Sequence, residues 1–259
     1  MAAPSWIDEL HLHEVRAAMA AADGSGVRIA VLDSGIDTSH PDLAGLALSD
    51  DSAFEIDGSF LRAVENTSGD AMGHGTAIAW IIRSIAPKAE IGSFRVLDGD
   101  LRSRSTIVWE AARHAIERGY HILNCSFGSP GDARFVMPYK EWTDLAYVRN
   151  VHIVAGCNNH DVSVREWPGW FPTVVTVNLA SLPPEVWQRR TGSLVEFSAH
   201  GHEVRVPWKG GGHRVVSGSS YAAPRLTGWL SRLISAYPEL RVEEAKALLR
   251  RLAREQSER

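Results

Sequence analysis

Only two cysteines, Cys125 and Cys157, occur in 259 residues, so at most one disulfide can form and a secreted disulfide framework is excluded. No apolar run approaches the roughly 18 residues that a membrane helix requires, so no membrane association is expected. The opening MAAPSWIDELHLHEV mixes acids and histidines where a secretion signal has a basic and then an apolar stretch, and a cytoplasmic location is the expectation. A basic excess is also missing: 27 Lys and Arg stand against 31 Asp and Glu, a net charge of −4, which argues against nucleic acid as a partner. There is no internal repeat and no Pro/Gly/Ser-rich linker, so residues 1–259 read as one domain, with 250–259 as a frayed charged tail. His11 and His13, or His200 and His202, are paired without an evident third ligand, and the acids lack the alternating spacing of a calcium loop. No metal and no cofactor is expected.

What is present is a globular balance of 44% hydrophobic and 22% charged residues, at a length where folding hides roughly 70–75% of the unfolded surface. Apolar, β-branched runs beginning at Val27, Ala89, His121, Val151 and Thr173 read as buried strands. Helical patterns lie between and after them: Ser5 to about Ala21, a helix capped by Ser103 or Ser105 and ending at Gly119, His74 to Ile85, Glu141 to Arg149, Ser219 to Ala236, and Val242 to Ala253. Such alternation predicts a three-layer α/β fold, a mainly parallel central sheet with helices on both faces. Ligands of these sheets bind at the carboxyl ends of the strands, where Asp33, Ser126 and Asn158 fall.

Three glycine-containing turns carry groups suited to acyl chemistry. Asp33 ends the strand VRIAVL, where it can either cap a turn or face the functional edge. His74 stands between two glycines in GHGTAIA at the start of a helical pattern; taken alone it also reads as an ordinary core or surface histidine. Ser220 opens a helix in SGSSYAAP. Pro224 has no N–H for the Ser220 carbonyl, which is tolerable only if Ser220 lies in the first turn, where backbone N–H groups face an incoming oxyanion.

Taken together, DSGIDTSHPDL from Asp33, GHGTAIA from Gly73 and GSSYAAP from Gly218 resemble the three signatures of the subtilisin-like serine proteases, the subtilases, in the same chain order. The resemblance spans nearly the whole chain and implies the subtilisin-like fold. Asn124-Cys125-Ser126-Phe127-Gly128 is similar to the family's substrate-binding strand, Trp167-Pro168-Gly169 to its Tyr-Pro-Gly segment, and Phe197-Ser198 to its Phe-Ser pair. It implies a serine endopeptidase with Ser220 as nucleophile, His74 as general base then acid, and Asp33 holding the imidazole. It further implies Ser126, Phe127 and Gly128 along the substrate, a peptide or protein, and an oxyanion-binding Asn, for which the motif favours Asn158 over Asn159. Glu166, just before Trp167, falls in the first specificity pocket; there it either pairs with a substrate Lys or Arg or is a solvated neighbour of Arg165.

Departures from the family pattern are informative. Trp80 stands where a second glycine is usual, so the helix behind His74 must pack differently, and a displaced His74 would leave a silent peptide-binding module. Ser219 replaces the usual Thr but keeps a hydroxyl. No loop separates GTAIAWIIRSIAPKAEI, so the resemblance implies loss of the strongest family calcium site. Secreted family members carry a signal and a propeptide; with the first helix read from Ser5, and if the reading frame is complete, folding without a propeptide is the expectation. The expectation is therefore a selective processing protease restrained by narrow specificity, an occluded cleft, or a regulatory or substrate-delivery partner. Capture of the acyl-enzyme by a peptide amine, as in transamidase or macrocyclase members, is the rival chemistry, though no lid-sized insertion is evident.

Overall fold

A computed structural model describes residues 10–58 and 60–255. Five strands at the centre are the apolar runs of the sequence: β1 (Arg28–Asp33), β4 (Glu90–Arg95), β5 (Ile122–Cys125), β7 (His152–Gly156) and β9 (Val175–Ala180). They are parallel and lie in the order β9-β7-β5-β1-β4. Each is covered on both faces, which is why it reads as continuously apolar rather than alternating.

Alternate side chains of one strand feed two cores. Ile29 and Val31 point into a cluster with α2 (His74–Ile85) and α5 (Ser219–Ala236), whereas Ala30 and Leu32 point into a cluster with α3 (Ser105–Glu117) and α4 (Val136–Val148). A strand's period of two thus builds the three-layer α/β sandwich expected from the alternating sequence. On the first face α5 is also flanked by α1 (Leu12–Ala21) and α6 (Val242–Leu252).

The sheet extends beyond the apolar core strands. On one side β2 (Asp51–Asp57) runs parallel to β4 and forms a hairpin with β3 (Phe60–Glu65). On the other, β11 (Phe197–His200) joins β9, followed by β10 (Trp187–Arg189) and β14 (Arg254–Glu255). Two small ladders lie outside it: β6 (Ser129–Pro130) with β8 (Glu166–Trp167), and β12 (Val204–Trp208) with β13 (Gly212–Val216).

Several boundaries differ from the sequence expectation. The described part of the first helix starts at Leu12, and Ser5 lies outside the described residues. The cap before α3 is Arg104, with no side-chain bond, rather than Ser103 or Ser105. Helix α4 begins at Val136, because Pro138 sits in its first turn, where no N–H is needed. The stretch from 250 is not frayed as far as 255: Arg250 grips Glu196 through Nη2–Oε1 at 2.9 Å, and Arg254–Glu255 adds to the sheet edge beside Gln188–Arg189.

Candidate active site

Strand β1 delivers Asp33 to the carboxyl edge of the sheet, fully buried, with Oδ1 accepting from the Ser34 N–H at 2.8 Å. The same Oδ1 is 2.7 Å from His74 Nδ1. A carboxylate can only accept, so Nδ1 carries the proton and Nε2 keeps its lone pair free for chemistry. The second oxygen, Oδ2, is buried and has no partner among the described residues.

His74 reaches this position because α2 begins with it, and Asp70 makes the helix begin there. Asp70 Oδ1 accepts from the N–H groups of Met72 and Gly73 at 2.9 and 2.7 Å and from the Ser34 hydroxyl at 2.7 Å. Its Oδ2 accepts from the Thr76 N–H at 2.9 Å and the Thr76 hydroxyl at 2.5 Å. A buried carboxylate thus takes up the Gly73 and Thr76 donors at the helix start and complements the helix dipole, while the Gly75 N–H donates to the Ser34 hydroxyl at 3.1 Å. Close approach of this turn to β1 requires glycine at 75, where a Cβ would stand 2.1 Å from the Gly35 carbonyl oxygen.

Burial by itself would lower the pKa of the enclosed His74 ring, but the charge and hydrogen bond of Asp33, with a contribution from Asp70, outweigh it and raise the pKa above its ordinary value. Tyr221 covers the imidazole, with ring centroids 5.3 Å apart and planes inclined by 58°. Neither Asp70 nor Tyr221 was singled out in the sequence. Asp70 carried a weak signal, an acid a few residues before a helical pattern; Tyr221 carried none.

Trp80 leaves His74 in place. It is partly buried against the first core, and the close contact between α2 and α5 comes from the other helix, where a Cβ on Gly228 would lie 2.8 Å from Ile85 Cβ.

Ser220 is the second residue of α5. Its hydroxyl donates to the Ser126 carbonyl at 3.0 Å, and the Ser126 hydroxyl donates to the Ser220 carbonyl at 3.0 Å. The preceding Ser219 ties the helix to the end of β7: its hydroxyl donates to the Cys157 carbonyl at 2.6 Å and accepts from the Cys157 N–H at 3.2 Å. This pair of hydrogen bonds explains why a hydroxyl is needed at 219.

A cavity of about 230 Å³ opens beside Ser220, lined by Phe127, Gly128, Cys157, Asn158, Asn159 and Glu166 among others. The β6–β8 ladder brings Glu166 over Gly128, where a Cβ would meet Glu166 Oε2 at 2.5 Å, so glycine there makes room for the carboxylate. Cys157 is a buried free thiol, its pKa raised to about 12 by burial and then by the Glu166 charge. Cys125 is likewise buried and free.

The two adjacent asparagines take different partners. Asn158 Nδ2 donates to Glu166 Oε1 at 2.9 Å, and its Oδ1 accepts from the N–H groups of His160 and Asp161, both at 3.0 Å. A charge-assisted bond therefore turns its amide into the pocket wall. Asn159 folds back instead, its Oδ1 accepting from the Ser219 N–H at 2.7 Å. Spacing along a turn does not reveal which of two adjacent side chains folds back. Among the described residues no group of three or more His, Cys, Asp and Glu side chains is placed to hold a metal ion, and no helix is long and apolar enough to cross a membrane.

Known proteins share this architecture. Sphericase superposes with a TM-score of 0.74 at 25% identity, covering 88% of this chain and 83% of that one. In sequence the chain is similar to subtilisin E of Bacillus subtilis (strain 168), 26% identical over 231 residues, which takes in 83% of this chain and 57% of that protein. It is also 28% identical over 232 residues to the major intracellular serine protease of the same organism, covering 83% of this chain and 70% of the relative. The sequence model of the Subtilase family matches residues 24–259. With that match over most of its length, and the family's fold, the chain belongs to the subtilase family.

Proposed function

We propose that this chain is a serine endopeptidase in which Ser220 attacks the peptide carbonyl, His74 Nε2 takes the hydroxyl proton and passes it to the leaving amine, and Asp33 steadies the imidazolium. The observation that carries this reading is the buried 2.7 Å contact between His74 Nδ1 and Asp33, on the same sheet edge as a serine in the first turn of a long helix. Water then repeats the sequence in reverse on the acyl-enzyme. In its present rotamer the Ser220 hydroxyl is held by Ser126, and rotation about its side-chain bond delivers it for reaction.

The developing oxyanion would be held by the Ser220 N–H and by Asn159, whose Nδ2 donates to no acceptor among the described residues while its Oδ1 is anchored on Ser219. Asn158, the choice favoured by the motif, would instead hold Glu166 in position. With its carboxylate in the pocket beside the nucleophile, Glu166 suits a substrate Lys or Arg on the acyl side of the cleaved bond. Phe127 and Gly128 line that pocket, while Ser126 borders the nucleophile. Such a charged pocket supports selective processing of peptides or proteins, and the intracellular relative supports a role inside the cell.

The test is labelling of the folded protein with a fluorophosphonate, with the adduct located by mass spectrometry. An adduct on Ser220, absent from Ser220→Ala and strongly slowed in His74→Ala, is expected. A folded wild-type protein that takes no label would overturn the reading.

A further inference from the structure

The carboxyl edge of the sheet holds a second cavity, of about 420 Å³, on the opposite side of Asp33 from the Glu166 pocket. Asp33 of β1 is in register with Arg95 of β4, and Arg95, Arg102 and Arg104 all line this cavity around an apolar floor that includes Phe54 and Ile107. Arg95 is half-buried and the other two are exposed. Arg102 meets the charge of Asp98, whereas neither Arg95 nor Arg104 has a carboxylate partner among the described residues. The single acid in the lining, Asp98, is occupied by the backbone N–H groups of Asp100 and Arg102, both at 2.9 Å. Three arginines thus face one carboxylate in the lining, so positive charge is in excess, and half-buried Arg95 borders a cavity that solvent reaches, where a carboxylate can pair with it.

We infer that this cavity is a specificity site for an acidic side chain of the substrate, so that the cleft reads a basic residue at one end and an Asp or Glu at the other. The inference rests on the endopeptidase reading. The strand order gives the separation: from the end of β5 and β7, where Glu166 lies, to the end of β4 is two to three strand spacings of about 4.8 Å, and an extended peptide advances about 3.3 Å per residue. The acid therefore sits about three to four residues from the basic one. Phe54 and Ile107 give a Glu stem apolar surface while its carboxylate meets the arginines.

The experiment uses peptides with one Lys or Arg at the cleaved bond and a single Glu or Gln moved through the four positions on either side. Wild-type protein is expected to prefer Glu over Gln by about fivefold in kcat/KM at one position, three or four residues from the basic residue. The preference shrinks as salt rises from 0.05 to 0.5 M, by the ordinary screening of a solvent-reached pair. The double variant Arg102→Gln/Arg104→Gln, both exposed positions, abolishes it, so that the Glu and Gln peptides are cleaved alike, and Arg102→Glu/Arg104→Glu turns it towards Lys. Equal use of Glu and Gln at every position, or a Glu preference that survives the double substitution, overturns the inference. Binding of the same labelled peptides to Ser220→Ala gives the comparison without turnover. A Glu preference in Kd there upholds the cavity assignment even if cleavage fails, and failure to cleave or label in wild type counts against the endopeptidase reading alone.

Discussion

Ser126 and Ser220 hold one another by exchanged hydrogen bonds, each hydroxyl donating to the other's carbonyl at 3.0 Å. The arrangement follows from Pro224, which has no N–H to offer the Ser220 carbonyl four residues earlier. Ser126 supplies the missing donor and thereby fixes where the first turn of α5 sits against the end of β5. Asn124 Nδ2 in turn donates to the Ser126 hydroxyl at 3.0 Å. Replacement Ser126→Ala is expected to lower stability by about 1 kcal/mol and to lower kcat more than it raises KM, because the nucleophile's backbone loses its anchor. Chemical denaturation and steady-state kinetics on one peptide check both; a variant with unaltered kcat would show the anchor to be dispensable.

Asp70 is expected to matter as much to His74 as Asp33 does to its tautomer. Asp70→Ala removes five accepted hydrogen bonds at the start of α2 and should cost about 2–3 kcal/mol. The pH profile separates charge from folding. Only neutral His74 is a base, and its pKa is raised, so kcat/KM should climb with pH through a value above 6.5. Asp70→Asn takes away one of the charges that raise it and moves that limb to lower pH. The same raised pKa favours the folded state while His74 is protonated: the contribution is full below pH 6.5 and fades as pH rises through the folded value.

The adjacent asparagines should separate by function. Asn159→Ala is expected to lower kcat by about 10²–10³ with little change in KM, the loss typical of one oxyanion donor. Asn158→Ala, by releasing Glu166, should blur the choice between Lys or Arg and Phe or Leu at the cleaved bond while leaving kcat on the preferred peptide within about threefold. Glu166→Gln should abolish the basic preference outright. Parallel kinetics on the four peptides decide the assignment, and a larger kcat loss from Asn158→Ala than from Asn159→Ala reverses it.

His152 makes the protein sensitive to acid. Buried in β7, its pKa is lowered to about 4 by desolvation and then by the neighbouring charge of His121. The unfolded chain binds a proton near pH 6.5 and the folded one only near pH 4, so stability falls as pH drops through that window, by at most about 3 kcal/mol. Thermal unfolding of His152→Phe should decline less steeply between pH 6.5 and 4 than that of the wild type. Identical slopes would place the acid sensitivity elsewhere.

Much of this was legible in the linear chain. Five buried strands announce themselves as apolar β-branched runs, because a strand covered on both faces has no polar side to interrupt the pattern. Asp33, His74 and Ser220 are legible because each sits in a turn of distinctive local composition. The peripheral strands β2, β3, β10, β12 and β13 were not read from the sequence: they mix polar and apolar residues, so no continuous apolar run marks them, although each pairs with a near neighbour along the chain.

The sequence by itself determined the layered α/β class, the order of the three chemical groups and the helices that present two of them, since these depend on local periodicity, capping and turn residues. Only the tertiary structure decided that Asn159 rather than Asn158 folds back onto Ser219, that Asp70 caps the histidine helix, and that three arginines gather beyond Asp33. Those outcomes depend on which side chains meet across strands and turns, where a neighbouring charge such as Glu166 or an orphaned backbone group selects among orientations that spacing along the chain leaves equal.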